Sequence, residues 1–257
     1  MKIAIISDIH VKKTDEESYG FLMRFMSEKK VLESDFIIFL GDIFDLMAGG
    51  HKEYIEYYND FFESLKILLL KNKKVFFFEG NHDFHLRNLF GYFLEKNGLN
   101  KELFNYLSEG VSFKIGGKNY YFSHGDDIEL GNYSYKFYKS IVRSRLLKMV
   151  ANDLFSFSFM ERLGSRISEN SKKRNVKKYK ESTLNNTIRE KFIKSVEVFY
   201  QKSLPHKKYD YIVCGHSHVK ELYKSQEGFC YLNNGFALKT KTFIFIENNK
   251  PEFVKLM

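Results

Sequence analysis

Cysteine and proline are scarce in this chain of 257 residues, which has two of each. Cys214 and Cys230 form no metal-binding spacing, and so small a complement excludes a disulfide scaffold; it suits the reduced thiols of a cytosolic protein. No low-complexity tract, linker or internal repeat divides the chain, so a single domain over residues 1–257 is expected, with an insertion inside it. No apolar run approaches the roughly 20 residues that span a bilayer. The opening run, Lys2 to Ile6, lacks signal-peptide architecture. These absences point to a cytoplasmic protein, either soluble or peripheral on a membrane.

Hydrophobic residues are plentiful at 44%, enough for a sizeable core and too many for a disordered chain. The formal net charge is +9. A nucleic acid, an anionic membrane surface or a phosphorylated substrate would each suit it, as would a lysine-rich solvated surface with no partner at all.

Five short apolar runs, at residues 2–7, 35–40, 74–78, 119–122 and 211–214, each end abruptly in a polar motif. The motifs are Asp8-Ile9-His10, Gly41-Asp42-Ile43-Phe44-Asp45, Gly80-Asn81-His82-Asp83, His124-Gly125-Asp126 and Gly215-His216-Ser217-His218. Continuous apolar runs of this length read as buried strands, and polar residues directly after them fall on the loops at one rim of an α/β sheet. Helical spacing of apolar residues lies between the early runs, at 16–32 and 53–71, giving a βαβ alternation and an α/β fold. Residues 128–203 break this rhythm and read as an inserted group of helices. The end of the chain returns to strands at Phe229–Leu232, Phe236–Leu238 and Thr242–Ile246.

Cations that activate water for phosphoryl transfer take carboxylate, imidazole and amide oxygen ligands. The five motifs supply all three and no thiolate; five of the eight histidines, His10, His82, His124, His216 and His218, lie in them. Asp8 and His10 are two apart, as are His216 and His218, and in an extended segment such residues point the same way, so each pair can approach one metal site. Two neighbouring cations need a shared anion between them, and Asp42 is the best candidate. Gly41 and Gly80 would let the backbone turn tightly beside the site. Any one motif alone also reads as an ordinary turn or exposed loop. Together, in this order after strand-like runs, they point to a two-metal hydrolase.

This set resembles the signature of the calcineurin-like metallophosphoesterases over residues 8–218. The resemblance implies a four-layer αββα sandwich of two packed sheets flanked by helices. It implies one divalent metal on Asp8, His10, Asp42 and His218, and another on Asp42, Asn81, His124 and His216, with water attacking phosphorus in line. His82 would protonate the leaving oxygen or stabilise the charged transition state, and Asp45 would orient its ring. An imidazole suits such a role because it titrates near neutrality.

The insertion bears on the substrate. An apolar stretch with Phe155, Phe157, Phe159 and Met160 is followed by a basic one with Arg174 and Lys178. The first could hold acyl chains and the second phosphates or an anionic inner-leaflet surface; an ordinary helical cap with a solvated lysine face is the plainer alternative. From His124 onward the order and spacing are similar to those of the UDP-2,3-diacylglucosamine diphosphatases of lipid A synthesis, which carry a helical lid at this place. That resemblance implies cleavage of a lipid-linked pyrophosphate, contacts to substrate from Asn81, Tyr135, Asn170, Ser171 and Lys178, and manganese as the metal, with iron or zinc as alternatives. Arg174 is a further candidate for the phosphates. The best-known branch has Arg where this chain has His82; His82 matches the general phosphoesterase pattern. A nucleic-acid or soluble-nucleotide phosphoesterase and a metal-free binding scaffold are the rival readings. No obligate protein partner is implied.

Overall fold

The protein is described from a computed structural model over residues 1–13, 15–131 and 181–256. Its strands are β1 (Lys2–Ile6), β2 (Phe36–Phe39), β3 (Met47–Ala48), β4 (Lys74–Phe78), β5 (Asp83–Phe84), β6 (Phe104–Leu107), β7 (Val111–Ile115), β8 (Lys118–Ser123), β9 (Tyr211–Cys214), β10 (Lys220–Lys224), β11 (Cys230–Asn234), β12 (Thr242–Glu247) and β13 (Lys250–Lys255). One sheet runs β13-β12-β1-β2-β4-β6, the other β10-β11-β9-β8-β7, and β3 pairs with β5 apart from both. In the first, β1, β2, β4 and β6 are parallel; in the second, β8, β9 and β11 are.

Strand alternation builds the layers. Ile3, Ile5, Ile38, Phe76 and Phe78 face the second sheet and meet Tyr120, Phe122, Val213 and Leu232 in a core between the sheets. Their neighbours Ala4, Ile6, Ile37, Phe39, Val75 and Phe77 face outward onto helices. Helix Glu16–Ser27 is capped by Asp15, which accepts from the Glu17 N–H, and turns Phe21, Leu22, Phe25 and Met26 onto the sheet at helical spacing. Helices Asn59–Leu70 and Arg87–Lys96 complete that outer layer through Phe61, Phe62, Leu65, Phe90 and Phe93. On the opposite side Tyr121, Ile212, Cys214 and Tyr231 of the second sheet are covered by Phe192, Val196 and Tyr200 of helix Glu181–Ser203. The result is helix, sheet, sheet, helix. Both faces of the parallel strands are buried, which is why they read as continuous apolar runs.

One strand expectation is corrected. Residues Phe236–Leu238 do not form a strand: after an extended Phe236, Ala237–Thr240 form a short helix, entered as the Ala237 N–H donates to the Asp8 carbonyl. Most of the inserted segment, including Tyr135, Phe155, Phe157, Phe159, Met160, Asn170, Ser171, Arg174 and Lys178, lies outside the described residues. Among the described residues no helix is long and apolar enough to cross a membrane.

Candidate metal centre

All five motif loops leave the C-terminal ends of β1, β2, β4, β8 and β9 and so gather at one rim. The loops turn at once. Asp8, His10, Asp42, His216 and His218 have φ of 52°, 54°, 53°, 67° and 57°. Each such left-handed residue costs about 1–3 kcal/mol and persists only where its surroundings hold it. The glycines beside them are needed for close approach. A Cβ on Gly80 would lie 2.1 Å from Asp42 Oδ1, and one on Gly41, itself at φ 84°, 2.6 Å from His124 Nδ1.

This backbone corrects the expectation that residues two apart point the same way. The segments are not extended, and the paired histidines part company. His218 Nε2 lies 3.3 Å from Asp8 Oδ1 and 3.2 Å from His10 Nε2. His216 packs edge-on against His124, with ring centroids 5.2 Å apart. Asp8 and His10 do converge: one donor atom each from Asp8, His10, Asp42 and His218 lies within 4.8 Å of the others.

Asp42 is central. Its Oδ1 accepts from the Asn81 and His82 N–H groups at 2.8 and 2.9 Å, which aims Oδ2 between His10 Nε2 (3.8 Å) and His124 Nε2 (3.5 Å). On the second side, His124 Nδ1 donates to the Leu40 carbonyl at 3.1 Å, which turns Nε2 into the rim, 3.1 Å from Asn81 Oδ1. Fixing one ring nitrogen on a carbonyl to present the other is how ligating histidines are oriented.

The electrostatics favour a cation. Burial pushes His10 down to about 3, so its ring is neutral and able to ligate. Burial works against the charged forms of His124 and His218 too. Around His124 the Asp42 charge outweighs it and raises the ring to about 10, and Asp8 raises His218. The Asp42 carboxyl is held well below its usual range against its own burial, chiefly by His124. Two buried carboxylates thus draw positive charge into the rim. Buried carboxylate, imidazole and amide oxygen, already oriented by backbone contacts, fit divalent cations.

The sequence model of the family described as "Calcineurin-like phosphoesterase" matches residues 1–220. The chain belongs to that family. It is therefore a metal-dependent hydrolase of phosphoesters or anhydrides, and the fold is that of a calcineurin-like phosphoesterase. A UDP-2,3-diacylglucosamine hydrolase of Psychromonas ingrahamii is 22% identical over 220 residues, covering 85% of this chain and 81% of that protein. Among solved structures, an archaeal phosphodiesterase aligns with a TM-score of 0.47 at 13% identity over 99% of both chains. Zinc-bound Vps29 of Entamoeba histolytica aligns with a TM-score of 0.44 at 14% identity over 100% of both.

In this calcineurin-like phosphoesterase the second expected pair, His82 and Asp45, is arranged differently from expectation. His82 Nδ1 donates to the backbone carbonyl of Asp45 at 2.6 Å. The Asp45 carboxylate instead meets Lys12 Nζ at 3.3 Å. The main chain, not the side chain, orients the ring, because Asp45 sits on the same turning loop as Asp42. His82 also stands edge-on to His10 at 4.7 Å, and donor atoms of His10, Asp45 and His82 lie within 4.8 Å of one another.

Three supporting residues were not singled out from the sequence. Asp83 is fully buried and accepts from the N–H groups of Asp42 (2.9 Å), Ile43 (2.6 Å), Phe44 (3.2 Å) and Gly80 (2.9 Å), tying two motif loops together. Asn234 holds the Ser7 backbone through its N–H (3.0 Å) and carbonyl (3.1 Å), and Asn233 Nδ2 donates to the Gly215 carbonyl at 2.7 Å. The signal for the asparagines was present: Asn233-Asn234-Gly235 also ends an apolar run. Asp83→Ala would leave four buried donors without an acceptor, at about 1–3 kcal/mol each. Destabilisation of about 4 kcal/mol or more is expected, lowering Tm by roughly 8–16 °C in a chain this size. Asn can replace only one of the two accepting oxygens, so Asp83→Asn should also melt early; wild-type melting of both variants would remove this role.

Proposed function

We propose that the chain hydrolyses the pyrophosphate of UDP-2,3-diacylglucosamine to UMP and 2,3-diacylglucosamine 1-phosphate, a step of lipid A biosynthesis, as a cytoplasmic enzyme peripheral on the inner membrane. The observation that carries the hydrolytic chemistry is the Asp42 oxygen aimed between His10 and His124. The substrate rests on the motif order from His124 onward and on the relative from Psychromonas ingrahamii, which is named as a hydrolase of this compound.

In this reading Asp8, His10, Asp42 and His218 hold one divalent metal, and Asp42, Asn81, His124 and His216 the other, with manganese first and iron or zinc next. When bound, such metals polarise the phosphoryl oxygens and acidify water. Water attacks one phosphorus in line and the bridging P–O bond breaks. His82, its Nδ1 committed to the Asp45 carbonyl, offers Nε2 to the departing oxygen. Asn81, Tyr135, Asn170, Ser171, Arg174 and Lys178 contact the substrate, and the insertion, rooted on the second sheet by helix Glu181–Ser203, forms a lid whose apolar part receives the acyl chains. The basic balance of the chain suits an anionic inner leaflet.

The second reading is a nucleic-acid or soluble-nucleotide phosphodiesterase, suggested by the same net charge. Against a polyanion, the cavity of about 290 Å³ beside His124 is lined by Glu79, Glu109, Asp126 and Asp127. Incubation with UDP-2,3-diacylglucosamine and manganese, followed by product analysis, is expected to give UMP and the lipid phosphate in equal amounts. Each buried methylene contributes about 0.8 kcal/mol, so removing three or four should lower kcat/KM about 10²-fold. Charge reversal at Arg174 and Lys178 should weaken this substrate and spare a small phosphodiester dye. Equal turnover of long-chain and chainless substrates would transfer the reading to a soluble nucleotide.

A further inference from the structure

Glu129 lies just beyond the His124 loop, and nothing in the motif set includes it. Its Oε2 is 3.1 Å from His216 Nε2, and its Oε1 accepts from Lys191 Nζ at 2.6 Å. Lys191 belongs to helix Glu181–Ser203, the element that returns the chain from the insertion. The junction is braced: the Leu130 N–H donates to Ser195 Oγ at 3.1 Å, and Ser195 Oγ donates to the Lys191 carbonyl at 2.8 Å. Glu129 and His216 are both largely buried, with side chains 14% and 16% exposed. Glu129 thus links helix Glu181–Ser203 to one ring of the metal rim.

We propose that Glu129 is a positioning residue for His216: it accepts from the Nε2–H of that ring, which leaves the Nδ1 lone pair to be offered to a cation. This rests on the two-metal reading above. The chemistry requires that tautomer, because a carboxylate accepts and the hydrogen on the shared line must come from the ring. His124 is fixed in the opposite sense, with Nδ1 on the Leu40 carbonyl and Nε2 turned inward. A carboxylate on the far nitrogen of a ligating histidine orients the ring and raises its basicity, and its loss typically costs about 10–100-fold in metal affinity. Lys191 keeps Glu129 from swinging away.

The test titrates chelator-stripped full-length protein with manganese alone and reads bound metal by equilibrium dialysis, for wild type, Glu129→Ala, Glu129→Gln and His216→Ala. Wild type is expected to fill two sites. Glu129→Ala should weaken one of them about 10–100-fold and leave the other unchanged, with kcat recovered at saturating manganese. Glu129→Gln keeps an accepting oxygen but loses the charge, so a smaller weakening of the same site, about threefold or more, is expected. If Glu129→Ala does not fold, Glu129→Gln decides alone, and wild-type affinity in it overturns the proposal. Identical isotherms for wild type and Glu129→Ala overturn it while leaving the two-metal reading intact. Loss of the site in both glutamate variants as complete as in His216→Ala makes Glu129 a ligand and also overturns it. Wild-type protein that binds no manganese defeats the underlying reading instead.

Discussion

Asp42→Ala is expected to empty both metal positions and to lower kcat by about 10³-fold or more. The size follows from charge stabilisation by bound metals worth several kcal/mol, at about 1.4 kcal/mol per factor of ten. One oxygen of Asp42 is committed to the Asn81 and His82 N–H groups and the other faces both histidines, so no neighbour can substitute for it. Asp42→Asn separates loss of metal from loss of fold: its amide oxygen can keep the two backbone contacts while the metal-facing atom becomes a nitrogen donor. It should melt near wild type and still bind little metal. Chelated wild-type protein should be inactive and recover with manganese. Metal uptake should also release protons. In the metal-free protein His124 titrates near 10 because Asp42 is beside it, so at pH 7 the ring is protonated and must lose that proton before it can ligate. The affinity of that site should therefore rise with pH through neutrality, up to the His124 value. Full turnover in stripped protein, or metal content unchanged in Asp42→Asn, would remove Asp42 from its role.

His82→Ala should lower kcat about 10²–10⁴-fold, the span for groups that transfer a proton or steady developing charge, with metal content nearly normal. The main-chain contact sharpens this. Because the ring is held by the carbonyl of Asp45 and not by its carboxylate, Asp45→Ala keeps that contact. It should affect kcat far less than His82→Ala, by about tenfold at most, the loss coming through the freed Lys12 charge. Rates and metal content of the two variants at matched manganese decide the matter. If His82→Ala loses metal and regains its kcat when metal is resupplied, His82 is a ligand, as its closeness to His10 and the Asp45 carboxylate would allow.

The strands that carry the site were legible because each is buried on both faces, so its apolar run is unbroken and its end is marked by the first polar residue. Asp8, Asp42, Asn81, His124 and His216 follow those ends directly, and parallel strands deliver such residues to one rim whatever the rest of the chain does. The helices at Glu16–Ser27 and Asn59–Leu70 followed from the helical spacing of apolar residues, whereas the order of the layers was implied by the resemblance to the phosphoesterases. Other features depended on contacts between residues far apart in the chain. Phe236–Leu238 carries a strand-like composition, yet the Asp8 carbonyl captures the Ala237 N–H and starts a helix. The parting of His216 from His218 depends on left-handed backbone at both, which is affordable only because Asp8 accepts from the His216 N–H and Asn233 grips the Gly215 carbonyl. Asp83 looked like a turn residue because its four partners come from two loops. Glu129 carries no local signal, because Lys191 and His216 reach it from helix Glu181–Ser203 and from the loop after β9. Sequence alone determined which donor types this protein gathers and on which rim, since both follow from local pattern. Which donor faces which, through which ring nitrogen and under whose charge, was decided by tertiary structure, because those choices are made by hydrogen bonds between segments that only folding brings together.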